Sequence, residues 1–283
     1  MPAEVFALGS ALAAGTAVVA QQRAAHELGG ADHRLLGRPW WLAGTGASVL
    51  ASLLQAAALT DGAVVVVQAL VATAVAWTAV GEAVLERRRP SRGVVLGVVL
   101  AVTGPLLVVV LLGTTGSGAT TVDLASPTVL ATLAGAAVLV AAGLGWARRT
   151  PGPPGAVGFA LACGVGYGVA ASLLAVLARA VATDRGAVLA DPPLVLAAIL
   201  LVLVGPASFV LSQRALARAR RAGPVVTTIL LADPLTATVV GVAWFGERIA
   251  LDVASAGGLV LAVGLAVIGV RLLDPAPHPV AAR

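Results

Sequence analysis

The sequence is a succession of apolar runs, each about as long as a bilayer is thick, joined by short loops that hold most of its charge. Nine runs stand out, at 3–22, 40–59, 63–85, 93–112, 127–147, 156–178, 193–212, 224–245 and 253–272. About 20 residues wound as an α-helix cross a hydrocarbon core of about 30 Å, and a helix satisfies its own backbone N–H and C=O groups where water is absent. An open sheet leaves its edges unpaired there. Composition points the same way: 59% of the 283 residues are apolar, 11% are charged, and the mean hydropathy is +1.00. A soluble domain carries about 25% charged residues. The expected fold class is an all-α polytopic membrane protein with about nine transmembrane helices, whose first partner is the lipid bilayer.

Cytoplasmic loops are enriched in basic residues, so the arginines orient the chain. All 18 basic residues are arginine. Arg23, Arg34, Arg38, Arg87, Arg88, Arg89, Arg92, Arg148, Arg149, Arg214, Arg218, Arg220 and Arg221 follow runs one, three, five and seven, Arg271 and Arg283 lie at the C-terminal end, and only Arg179, Arg185 and Arg248 fall on the opposite side. The expected placement is multi-pass in the plasma (inner) membrane, with the N-terminus outside and the C-terminus cytoplasmic. Run one opens on Glu4 and its arginines come after the apolar part, which reads as a retained anchor rather than a cleaved signal. Trp40, Trp41, Trp146 and Trp244 fall near run ends, where indoles favour the interface, and Trp77 alone is deep.

Several function classes are excluded. The arginine clusters lack interleaved aromatics, so no nucleic-acid face is expected. Cys163 is the single cysteine, and His26, His33 and His278 lack ligand spacing, which leaves any metal unknown. No nucleophile stands with a base, no glycine-rich loop precedes a lysine, and no segment could form an ATP-binding domain. The chain reads as no enzyme and asks for no cofactor.

One carboxylate stands where a carboxylate is costly. Asp233 lies nine residues after Pro224 and twelve before Phe245 in run eight. At about 1.5 Å per residue it is more than roughly 10 Å from either end, beyond the reach of snorkelling. Pro234 follows it, and the missing N–H frees the Leu230 carbonyl, so a carboxylate and a backbone oxygen stand together as a candidate cation or proton site. Thr236 is adjacent on the helix. The aligned place in run three holds Gln68, and Gln55 and Gln213 sit near the ends of the preceding runs, where they could join the same polar lining. The alternative for Asp233 is a structural hydrogen bond to a neighbouring helix. Gly93/Gly97 and Gly164/Gly168 are small-residue pairs that suit internal packing or a homodimer contact alike.

The two halves resemble each other. Run three closes with Gly81-Glu82 and run eight with Gly246-Glu247; the same offset of 165 aligns VVLAVTG at 98–104 with VGLAVIG at 263–269. The expected orientation puts Glu82 inside and Glu247 outside, which makes the repeat inverted, as in secondary transporters. The expected domains are a first repeat at 1–112 with four helices, a polar linker at 113–126, a second repeat at 127–274 with five helices, and a short tail at 275–283. The segment RRTPGPPG at 148–155 reads as a loop inside the second half.

An apolar helix entered through Asp233-Pro234 and closed by Gly-Glu, then a short loop and a Gly-rich helix, resembles the EamA repeat of the drug/metabolite transporter superfamily. Residues 230–269 look like its second copy and 63–104 like a weaker first one. The resemblance implies a permease that moves a small solute by alternating access. Members usually have ten helices, so one is missing from the first half. The nine-helix pattern, with Trp40-Trp41 and Gln213-Arg214-Ala215-Leu216, is similar to the NIPA-like magnesium transporter branch. The cargo is then a small organic molecule or a cation, with Mg²⁺ as the alternative. A non-transporting structural or regulatory membrane protein is the remaining alternative.

Overall fold

The computed structural model describes residues 2–28, 38–85, 91–112, 122–184, 186, 190–219, 222–247 and 253–273. Ten helices are described: α1 (Ala3–Leu28), α2 (Pro39–Asp61), α3 (Val64–Val71), α4 (Ala74–Leu85), α5 (Arg92–Leu112), α6 (Pro127–Arg149), α7 (Pro153–Thr183), α8 (Pro192–Arg218), α9 (Ala222–Phe245) and α10 (Val253–Leu273). No strand occurs among the described residues. Helix covers every apolar run of the sequence. Seven spans are long and apolar enough to cross a membrane, with α3 and α4 together counted as one; the shorter apolar stretches Arg92–Gly104 and Gly257–Gly269 lie in α5 and α10.

Local chemistry sets the helix starts. Proline opens α2, α6, α7 and α8, at positions whose N–H would be unpaired in any case. Ser126 caps α6 by accepting the Val129 N–H at 3.3 Å. The loop expected at 148–155 shrinks to 150–152, because Pro153 and Pro154 do not merely end α6: they start α7. Gly152, at φ 75°, makes the turn between them. Most of the polar linker, 113–121, lies outside the described residues, as do Arg34, Arg87, Arg88, Arg89, Arg185, Arg220, Arg221, Arg248 and Arg283.

Run three departs from expectation: the single helix read over 63–85 is broken at Ala72-Thr73. The Thr73 Oγ1 hydroxyl donates to the Leu70 carbonyl at 2.7 Å, and the Thr73 N–H turns to the same carbonyl at 3.1 Å instead of the one four residues back. Two acceptor sites on one oxygen thus tighten the last turn of α3 and interrupt the ladder.

α7 is the central helix, buried along most of its length between α6, α8 and α9. Elsewhere α1 packs on α2 and α4, and α5 packs on α10. Lipid supplies no hydrophobic drive between helices, so close backbone approach must hold them, and small residues permit it. A Cβ added at Gly164 would meet the Ala232 Cβ at 2.6 Å, and one at Gly168 would meet the Thr236 Cβ at 2.6 Å, which fixes the α7–α9 crossing. Gly15 likewise lies against α4, where its added Cβ would meet that of Trp77 at 2.6 Å. Trp244 does not sit in an interfacial belt: it is 6% exposed in the core, and its Nε1–H donates to Thr132 Oγ1 on α6 at 2.6 Å. Its place near a helix end hid a tertiary hydrogen bond.

Candidate functional site

α9 carries Asp233 into the contact with α7. Its Oδ1 oxygen is buried and has no hydrogen-bond partner. Pro234 stands inside α9, but the helix break expected there does not occur: α9 runs unbroken from Ala222 to Phe245, and the proline only removes one N–H from its ladder beside the carboxylate. Around it α7 brings Cys163 and Tyr167, and Tyr167 is hydrogen-bonded to Ser212 of α8. All of these neighbours are uncharged at neutral pH. Thr236 packs on Gly168 and borders a cleft of about 480 Å³ between α6 and α9, otherwise lined by Thr132 and apolar side chains.

Gln68 sits in α3, 3% exposed, and its Nε2 is the other buried side-chain atom left without a hydrogen bond among the described residues. It lies one turn before the break at Ala72-Thr73. α3 packs on α9, with Val65 opposite Gly241: a Cβ added at Gly241 would meet Val65 Cγ2 at 3.5 Å. Since the two segments run in opposite directions across the bundle, Gln68 lies three residues and Asp233 eight residues in from that contact, so Asp233 is the deeper by about 7.5 Å at 1.5 Å per residue. The short helix α3 and the proline-containing helix α9 each present one buried, unmatched polar atom.

The remaining expected positions separate. Gln55 is half-buried in α2. Gln213 is exposed, with a 3.5 Å contact from its Nε2 to Ser212 Oγ. The two Gly-Glu pairs also part company. Gly81 packs on Val19 and Glu82 is exposed, whereas Glu247 is 5% exposed.

Glu247 is the centre of a buried knot. Gly246, at φ 64°, ends α9 in the left-handed region and turns the chain back; its N–H donates to Val242 O at 3.2 Å and that of Glu247 to Gly241 O at 3.3 Å. The Glu247 carboxylate is thereby laid on the first turn of α3. Val64 N–H donates to Oε1 at 2.6 Å and Val65 N–H to Oε2 at 3.3 Å. Two of the amides that a helix start leaves unpaired are satisfied, and the negative charge sits at the positive end of the dipole. Arg179, 3% exposed near the end of α7, places Nη2 at 3.8 Å from Glu247 Oε1. It donates from Nε to Leu59 O at 3.1 Å and from Nη2 to Gly62 O at 3.0 Å, at the end of α2, and its guanidinium lies 4.0 Å from the centre of the Phe245 ring. Burial raises the Glu247 carboxyl above its ordinary value, while the two amide donors and the guanidinium pull it down.

Sequence reasoning took Arg179 as one of three arginines on the poorer side and nothing more. The signal available was a guanidinium one residue past an apolar run, matched by one glutamate just past another. Among the described residues no group of three or more His, Cys, Asp or Glu side chains gathers. Comparison of the chain with family models, with curated proteins and with solved structures found no match.

Proposed function

We propose that the chain is a secondary permease that moves a small solute by alternating access, with Asp233 as its cation or proton site. The observation that carries this reading is the pair of buried, unpartnered atoms, Asp233 Oδ1 halfway along α9 beside Pro234 and Gln68 Nε2 on the short helix α3, one turn from its start. A buried polar group without a partner is costly, and the cost is tolerated where a ligand completes it. Discontinuous helices at the bilayer midplane are the usual builders of such sites in secondary transporters. A purely structural role suits Asp233 less, since no hydrogen bond holds its Oδ1 to a neighbouring helix.

The wider architecture in this reading is nine crossings in two inverted EamA-like repeats, in the plasma membrane, with the N-terminus outside and the C-terminus in the cytoplasm. The helix pairings support it. Taken in chain order, α1, α2, α3–α4 and α5 correspond to α7, α8, α9 and α10, the last two pairs at the offset of 165. α1 packs on α2 and α4 as α7 packs on α8 and α9, and the pairs α5–α10 and α3–α9 meet their own counterparts. α6 is the helix without a partner in the first half.

A Mg²⁺ cargo, as in the NIPA-like branch, is the weaker reading. Mg²⁺ wants near-octahedral oxygen ligands, and a single carboxylate with neutral neighbours leaves one positive charge uncompensated in a low dielectric. The test is flux into proteoliposomes, comparing native protein with Asp233→Asn at matched folding, under an imposed pH gradient and, separately, a Mg²⁺ gradient. Proton movement present in the native protein and lost in the variant supports the proposal. Asp233-dependent Mg²⁺ flux moves it to the magnesium alternative, and flux that ignores Asp233 overturns the site.

A further inference from the structure

The knot at Glu247 joins parts of the chain that belong to different halves. Leu59, Gly62, Val64 and Val65 come from the turn between α2 and α3; Arg179 and Glu247 come from the ends of α7 and α9. All six lie at the end of the bundle opposite the arginine-rich loops. Just inside them, one turn along α3, is Gln68, and deeper still is Asp233. The knot therefore stands between those two residues and the arginine-poor end of the bundle.

The parts that would move are already separated. α3 is eight residues long and cut from α4 at Ala72-Thr73, so its backbone can tilt without bending a continuous helix. Its start is held by two charge-assisted hydrogen bonds to Glu247, a type roughly twice as strong as a neutral one. We infer that Glu247, Arg179 and the first turn of α3 form the gate on the arginine-poor side, closed in this structure. It opens when the Val64 and Val65 amides leave the Glu247 carboxylate and α3 swings about its break. The end of α2 then parts from α7 between Leu59/Gly62 and Arg179. Gly241 is part of the latch, because the Glu247 carboxylate lies across it: an added Cβ there would stand 2.6 Å from Oε2.

This inference rests on the permease reading for its purpose, and its test does not need cargo. Cys163 is the single cysteine, so Cys163→Ala gives a thiol-free chain into which Gln68→Cys places one reporter behind the gate. A membrane-impermeant maleimide is applied to each face of reconstituted vesicles in turn. With the knot intact, labelling from the arginine-poor face is slow. Glu247→Gln raises it about tenfold or more while labelling from the opposite face stays level or falls, as a shift between two states requires. Val64→Pro is the second variant: proline suits the first helical position, deletes one donor to the carboxylate, and leaves the Arg179–Glu247 pair in place. It raises labelling from the same face. Unchanged labelling in folded Val64→Pro and Glu247→Gln overturns the gate, and so does an equal rise from both faces, which marks general loosening. One-sided labelling with no flux of any solute keeps the gate and sinks the permease; flux without the labelling change does the reverse.

Discussion

Glu247 accepts the Val64 N–H at 2.6 Å across 183 residues of chain, and Arg179 stands 3.8 Å from the same carboxylate oxygen. Each charge is buried beside the other, and Asp61 adds to the negative field at Arg179. Arg179→Met leaves the carboxylate without its counter-charge and is expected to cost about 3–5 kcal/mol, the range for breaking one side of a buried pair. Arg179→Met combined with Glu247→Gln is expected to cost less than the two single changes added together. Unfolding in detergent, followed by circular dichroism for all three variants, checks the sign of that coupling.

Gly241→Ala should act on Glu247 without touching either charge. The new methyl would stand 2.6 Å from Oε2 and 3.5 Å from Val65 Cγ2, so the carboxylate must leave the α3 amides. The expected loss is about 1–3 kcal/mol, as for other overpacked sites, with labelling of the Gln68→Cys reporter faster from the arginine-poor face alone. A Gly241→Ala protein that melts and labels like the native one would show the carboxylate is free to shift.

Asp233→Asn separates binding from architecture. The Oδ1 oxygen has no hydrogen bond to lose, and the neutral amide is less costly to bury than a carboxylate. The folded protein is expected to melt at the same temperature or higher, while proton-driven flux falls to background. A melting temperature several degrees lower would assign Asp233 to the framework.

Two glycines on neighbouring helices make a matched pair. Gly164→Ala drives its methyl to 2.6 Å from the Ala232 Cβ and 3.0 Å from the Ile229 carbonyl and is expected to destabilise by about 1–3 kcal/mol. Gly135→Ala on α6 meets nothing within 4 Å, so only helix propensity acts and the change is neutral or stabilising by up to about 1 kcal/mol. Melting curves of the two variants, run side by side, check the contrast.

The positions of the helices were legible because lipid makes hydropathy and backbone satisfaction nearly the same requirement. Asp233 and Pro234 were legible for the related reason that a mid-span carboxylate beside a proline has few uses. Gln68 could be found only through the offset between the halves. The break after Val71 was not legible, since no glycine or proline marks it and a threonine hydroxyl bonding backward looks like any other threonine. The glycine–glutamate pair at 246–247 was noticed as a repeat, but what Glu247 does depends on backbone amides of α3 and a guanidinium of α7. Neither end of that relation has a periodicity or a motif of its own. Gln213 shows the opposite error: its spacing suited the polar lining, and the fold leaves it exposed.

The knot also sets an order of events. Val64 and Val65 enter the bilayer early in synthesis, and their partner is 182 or more residues behind them. Until α9 has been made and Gly246 has turned the chain, the first turn of α3 carries two amides with no acceptor in a medium where each unsatisfied group costs several kcal/mol. The earlier helices can insert before that point, but this end of the bundle cannot be sealed. Closure of this end of the bundle is thus timed by the turn that follows α9, and a nascent chain halted before Glu247 would expose an unfinished site for quality control to read.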